Sequence, residues 1–210
     1  MASVTRSCGT GANVSAGMGM GTDWSNAGNI TASDNSYATQ DHQVGMAMSV
    51  GKLKATNFGF SIDSGATIDG IIVTIERKSN NANNIEDVDI NILNGDGSGG
   101  VGSTDKSTGA AWPTTEAEAT FGGASDKWGE TWTPAKINSS NFGVQIECDG
   151  QNGGMFTTNT ASVDHIEITV HYTLASSDPD IKFGSAQVTK VYLGSQLLSK
   201  IEFGEVDIDL

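Results

Sequence analysis

Along residues 85–93 apolar and polar side chains alternate, Val88, Ile90 and Ile92 against Asp87, Asp89 and Asn91. A strand turns successive side chains to opposite faces, so this period of two predicts a strand with one face on a core and one in water. The same rule predicts strands over residues 141–148, with Phe142, Val144, Ile146 and Cys148 inward, and over residues 163–174. There Ile166, Ile168, Val170, Tyr172 and Leu174 oppose Glu167, Thr169, His171 and Thr173. Residues 67–77 differ, carrying Ile71, Val73 and Ile75 on one parity and Ile72 and Thr74 on the other, which predicts a central strand covered on both sides. Residues 53–62 predict a further strand, ended by the turn signal Asp63-Ser64-Gly65. No stretch of useful length has a helical period. Half-solvated strands spaced by glycine-rich loops predict an all-β fold: an antiparallel two-sheet sandwich, jelly-roll-like.

The two ends of the chain break this pattern. Residues 1–45 are rich in Gly, Ser, Asn and Thr, with few large apolar residues (Trp24, Ile30, Tyr37), and predict an extended N-terminal arm or a loop-rich first layer. Residues 46–175 are the sandwich. Ser176-Ser177-Asp178-Pro179-Asp180 has the composition of a linker, and a C-terminal β-repeat segment follows it. Residues 181–190, 191–200 and 201–210 share one grammar of ten residues: a β-branched residue (Ile181, Val191, Ile201), an apolar residue two further on (Phe183, Leu193, Phe203), then Gly184, Gly194 or Gly204. An apolar residue follows four beyond each glycine (Val188, Leu198, Ile208), and Lys190 and Lys200 close the first two units. Each glycine supplies a turn or bulge between two short strands. Units this small cannot bury their own apolar positions, so Ile181, Phe183, Val188, Val191, Tyr192, Leu193, Leu197, Leu198, Ile201 and Phe203 are expected to form an assembly interface.

Composition narrows the function. The chain has 27 glycines but three prolines, suiting many tight turns rather than a disordered linker. Its formal net charge is −14, and residues 61–174 hold 5 basic against 16 acidic side chains, which argues against a nucleic-acid surface. Cys8 and Cys148 lie in no metal or redox motif and read as free thiols. The N-terminal residues lead into Gly, Asn and Ser rather than an apolar stretch, and the longest apolar run, near Ile71, is far below membrane length; folding in a cytoplasm is expected.

Each candidate chemistry in the sequence has a plainer reading. Asn94, Asp96, Ser98 and Asp105 partly match a calcium loop, but acidic residues are missing at its first and fifth positions and the flanks are strands, so a hairpin loop is expected. His165 and His171 share a strand face about 20 Å apart, too far for one metal ion. Asp164 beside His165 makes no triad, because neighbours on a strand face opposite ways. Glu116 and Glu118 superficially resemble paired glycosidase carboxylates but nothing places them in a cleft. Gly17, Gly19 and Gly21 lack the strand and helix of a phosphate loop. Trp112, Trp128 and Trp132 are the only aromatic residues suited to stacking on a sugar; packing is the alternative. No cofactor and no catalytic set is expected.

Several phrases together resemble β-rich virion proteins of tailed bacteriophages: Asn57-Phe-Gly-Phe-Ser-Ile62, Ser64-Gly-Ala-Thr-Ile-Asp-Gly-Ile71, Trp128-Gly-Glu-Thr-Trp-Thr133, Val163-Asp-His-Ile-Glu-Ile-Thr-Val170 and Lys190-Val-Tyr-Leu-Gly-Ser-Gln-Leu197. The resemblance implies a head decoration (cement) protein, often trimeric, which binds the major capsid protein and its own copies on the outer capsid surface and stabilises the shell. It carries no catalytic signature. The competing expectations are a tail or fibre adhesin that binds host glycans through the three tryptophans, and, last, a carbohydrate-active enzyme.

Overall fold

The structure, a computed structural model, describes residues 1–17, 22–43, 49–82, 84–96, 101–150, 157–175, 181–183, 186–188, 192–193 and 196–197. The chain divides into two compact units, Met1–Ala175 and Ser176–Leu210. Among the described residues no helix is long and apolar enough to cross a membrane.

The first unit is the expected antiparallel two-sheet sandwich. One sheet is built on two long strands, β5 (Thr67–Ser79) and β9 (Thr158–Thr173), which pair along most of their lengths. The far edge of β5 carries β7 (Ala117–Gly123). The far edge of β9 is shared by β1 (Ala2–Ser7), opposite Glu167–Tyr172, and β3 (Ala38–Gln43), opposite Thr158–Val163. The second sheet runs β2–β4–β8–β6, from β2 (Thr10–Val14) and β4 (Lys52–Thr56) to β8 (Phe142–Gly150) and β6 (Ile85–Asn94). Ile71, Val73, Ile75, Ile166, Ile168 and Val170 from the first sheet and Leu53, Ile90, Ile92, Val144 and Ile146 from the second are buried in one core, where burying each such side chain contributes about 1.5–3 kcal/mol.

Residues 1–45 supply strands to both sheets. The chain leaves the first sheet at Cys8, whose N–H donates to Ile166 O (3.1 Å), and enters the second at Gly9, whose N–H donates to Thr56 O and Asn57 O. A Cβ at Gly9 would lie 2.7 Å from Asn57 O, so this sheet-to-sheet corner requires glycine.

Three expectations are corrected. Val88 is 41% exposed and Asp87 only 3%, the reverse of simple alternation. The β6–β8 ladder pairs Asp87 with Cys148 and Asp89 with Glu147, leaving Val88 as the extra residue of a bulge that shifts the phase. Residues 57–62 are not in a strand: Asn57 (φ 61°) and Gly59 (φ 65°) adopt left-handed conformations, although Phe58, Phe60 and Ile62 are all buried. The Asn138 side chain takes the place of a ladder, accepting from Ile62 N and donating to Ile62 O, both at 2.8 Å. Leu174, expected inward, lies past the end of β9 and is exposed.

The second unit contains two short antiparallel hairpins, β10 (Ile181–Phe183) with β11 (Ala186–Val188) and β12 (Tyr192–Leu193) with β13 (Gln196–Leu197). The registers pair Ile181 with Val188, Phe183 with Ala186 and Tyr192 with Leu197. The first two ten-residue repeats are therefore one hairpin each.

Candidate functional site

A bulge in β9 creates a buried polar site in the sandwich. Glu76 of β5 pairs with His165, but the next residue, Arg77, pairs with Val163, so Asp164 has no partner across the ladder. Upstream of it Ala161 and Val163 point into the core; downstream Ile166, Ile168 and Val170 do. On the other edge of β9, β3 begins opposite Val163 and β1 ends opposite Glu167. The interval between them is filled by the segment 31–37: Thr31 bridges to His165, and Asn35, in a left-handed conformation (φ 64°), donates its N–H to Asp164 Oδ2 at 3.1 Å. Asp164 is consequently 0% exposed, and its Oδ1 has no hydrogen-bond partner.

Two further carboxylates converge on it. Glu76 and Glu116, the latter just ahead of β7, each bring an oxygen so that the three ligand atoms lie within 4.8 Å of one another. Glu116 Oε2 is also buried without a hydrogen bond. Lys78 Nζ stands 3.9 Å from Glu116 Oε2 and 3.8 Å from the Tyr37 ring centroid, offsetting part of the negative charge.

A second buried cluster crosses the core. Arg77 of β5 and Asp87 of β6 form an ion pair between the sheets; Trp112 Nε1 donates to Asp87 Oδ1 at 2.9 Å. The guanidinium lies over Trp112 (4.7 Å) and Phe121 (5.4 Å), where the ring faces attract its charge. Arg77 Nε and Asp87 Oδ2 remain without partners, so the pair joins the sheets by a single prong. The β6 bulge is what turns Asp87 inward to meet Arg77.

A third group has the order of a nucleophilic triad without its chemistry. Cys148 Sγ is 3.6 Å from His42 Nε2, and His42 Nδ1 is 3.6 Å from Asp149 Oδ1. Burial pushes the Cys148 thiol well above its ordinary value, and burial also holds His42 below its own against the opposing pull of Asp149. A reactive cysteine needs a stabilised thiolate and access to substrate. Cys148 instead keeps its proton and donates to Gln40 Oε1 at 3.6 Å. Cys8, pushed up to about 12 by burial, is equally protected.

The residues expected to touch glycan lie elsewhere. Trp112, Trp128 and Trp132 are all buried, and each indole N–H is engaged: by Asp87, by Ile71 O at 3.0 Å and by Lys127 O at 2.9 Å. Trp132 also meets the edge of Phe142 at 5.3 Å. A stacking platform needs an exposed ring face; these rings are packed against the sandwich instead. His165 shares a hydrogen bond of 2.9 Å with Ser7 Oγ. Glu118 pairs with Glu76 across β5 and β7 and is exposed. In the calcium-like loop, Ser98 lies outside the described residues and Asp105 is occupied, accepting from Ile90 N and from Ser107. Met18 to Gly21 also lie outside them. Of the expected assembly residues, Ile181, Phe183, Val188, Tyr192, Leu193 and Leu197 fall on the hairpin strands; Val191, Leu198, Ile201 and Phe203 lie outside the described residues.

Sequence reasoning missed the convergence of Glu76, Glu116 and Asp164. The available signal was Asp164 interrupting the inward series between Val163 and Ile166, two apolar residues of opposite parity on one strand.

Fold and side chains together define a two-sheet β-sandwich followed by a hairpin-repeat unit. No protein-family model matches the chain, and no curated protein matches it. Among solved structures, the N-terminal cellulose-binding domain of β-1,4-glucanase C from Cellulomonas fimi is similar over 82% of this chain and 90% of that one, at 10% identity and a TM-score of 0.34.

Proposed function

We propose that the chain is a non-catalytic structural protein of a tailed-bacteriophage virion, a head decoration protein. In this reading the sandwich lies on the outer capsid surface and the C-terminal repeats hold it to the major capsid protein or to further copies, with a trimer as the favoured assembly. The observation that carries the reading is the form of the repeats: hairpins of three and two residue pairs, in which Ile181 lies opposite Val188, Phe183 opposite Ala186 and Tyr192 opposite Leu197. A lone two-stranded hairpin is marginal in water and gains stability by laying its strands or apolar side on another surface. The acidic excess of residues 61–174 fits a surface turned away from nucleic acid. Cys148, His42 and Asp149 support the non-catalytic part, since burial suppresses the thiolate that a nucleophile needs. The burial of Trp112, Trp128 and Trp132 removes the feature that favoured a glycan-binding adhesin.

The test is co-sedimentation with expanded capsid shells of the phage that encodes the protein. The full chain is expected to bind stoichiometrically and to raise the force or temperature needed to disrupt the shell. A chain ending at Ala175 is expected to keep its unfolding midpoint and lose that binding. Failure of the full chain to associate with shells would sink the decoration reading, and collapse of the truncated chain would show that the repeats belong to the folding core.

A further inference from the structure

We infer that Glu76, Glu116 and Asp164 form a binding site for a hard divalent cation, calcium by preference, which fastens β5 and β9 to the approach to β7. This inference is independent of any role in a capsid. It starts from an electrostatic imbalance: three carboxylates share one small region, and the ammonium of Lys78 reaches the edge of it, 3.9 Å from Glu116. Proximity of acidic groups alone would mean little on so acidic a chain. The decisive feature is Asp164, which has no exposed surface and whose Oδ1 has no donor, so water cannot solvate it as it does a surface carboxylate. Glu116 is less enclosed, its side chain 19% exposed and 3.9 Å from Lys78 Nζ, but its Oε2 is also buried without a hydrogen bond. Buried acceptors without partners are rare in folded proteins, because each forfeits its hydration with nothing in exchange.

The donor set selects the ion. Carboxylate oxygens alone suit calcium, magnesium or manganese and not the metals that prefer imidazole or thiolate. His165, the nearest imidazole on the ladder, is committed to Ser7. Oxygens lying within 4.8 Å of one another can surround one calcium ion at about 2.4 Å each, and calcium tolerates the irregular geometry that a bulge and a loop provide. Magnesium demands a tighter octahedron. The Asn35 N–H already holds Asp164 Oδ2, fixing the carboxylate's orientation while leaving Oδ1 available. Metal-binding carboxylates are generally held in this way by a hydrogen bond to the oxygen that does not face the ion. Glu118, opposite Glu76 on β7, adds negative potential from the exposed side.

The test uses the full chain, stripped with EDTA and titrated with calcium chloride or magnesium chloride, read by calorimetry and by thermal unfolding. One calcium ion per chain is expected, with magnesium weaker, and a rise of about 5 °C or more in the unfolding midpoint at calcium well above its dissociation constant. Glu76→Gln and Glu116→Gln should each weaken calcium binding at least tenfold. In EDTA both variants should melt at or above the wild type, because each removes a like-charge repulsion; an ordinary structural carboxylate would show the opposite. Asp164→Asn should also lose the ion, and if it fails to fold the two glutamate variants still decide. No binding at millimolar calcium, a response to magnesium but not calcium, or calcium binding unchanged in both glutamate variants would each overturn the assignment.

Discussion

Replacing Asp87 by Asn isolates the charge of the buried ion pair, because Asn keeps an oxygen for Trp112 Nε1 and changes almost no volume. Arg77 would then lie 4% exposed between Trp112 and Phe121 with no counter-charge. Breaking a buried pair by removing one partner costs about 3–5 kcal/mol, mostly the penalty of the charge left behind. The retained Trp112 bond spares the about 1–3 kcal/mol that Asp87→Ala would add. The two ring faces stabilise the stranded cation by about 1–2 kcal/mol, placing Asp87→Asn near the low end, about 3 kcal/mol. For a unit of this size that is a fall of about 6–12 °C in the unfolding midpoint. Urea unfolding followed by tryptophan fluorescence on wild type, Asp87→Asn, Arg77→Met and the double variant completes a cycle. The double variant has no buried charge, so it should be more stable than Asp87→Asn alone, with a coupling of about 2 kcal/mol or more. An Asp87→Asn protein within about 0.5 kcal/mol of wild type, or additive single effects, would refute the reasoning.

Trp128→Ala should destabilise the sandwich by about 3–5 kcal/mol, since it empties a fully buried site and removes the indole hydrogen bond to Ile71 O. A variant with wild-type melting but lost polysaccharide binding would show that the ring faces solvent. His42 should give a pH slope: burial lowers its pKa below 6.5, so the unfolded chain takes the proton more readily. Stability should be complete above about pH 6.5 and fall as pH drops through that value, and His42→Gln should flatten urea midpoints between about pH 7 and 5. An unchanged slope in that variant would assign the effect elsewhere; Asp126, held low chiefly by Lys106, acts only as pH falls below about 3.8.

Much of the sandwich was legible from side-chain parity. Strands β5, β8 and most of β9 present Ile71, Val73, Ile75, Val144, Ile146, Ile166 and Ile168 inward as alternation requires, because a half-buried strand cannot place its apolar residues otherwise, although β5, expected to be covered on both sides, leaves Ile72 and Thr74 only half-buried. The first two ten-residue units were legible for a related reason: apolar residues on either side of a glycine at a fixed interval encode two short strands that pair locally. Strands β1, β2 and β3 were not, since they are short, poor in large apolar residues, and take their stability from the ladders of β9 and β4. Residues 57–62 show the converse, for the alternation of Phe58, Phe60 and Ile62 reports which side is buried and says nothing about which groups satisfy the backbone.

The polar sites belong to the tertiary structure. A bulge is one residue that fails to find a partner, and which residue fails depends on the register of the neighbouring strand, so the inward turn of Asp87 could not be read from β6 alone, and the parity change between Val163 and Ile166 in β9 does not say what covers Asp164. Glu76, Glu116 and Asp164 are dispersed along the chain and meet only because β5 and β9 pair and β7 lies along β5. Local sequence determined which faces are apolar. The pairing of distant strands decided which charges are buried, because the free energy of a charge depends on everything that surrounds it and not on its neighbours in the chain.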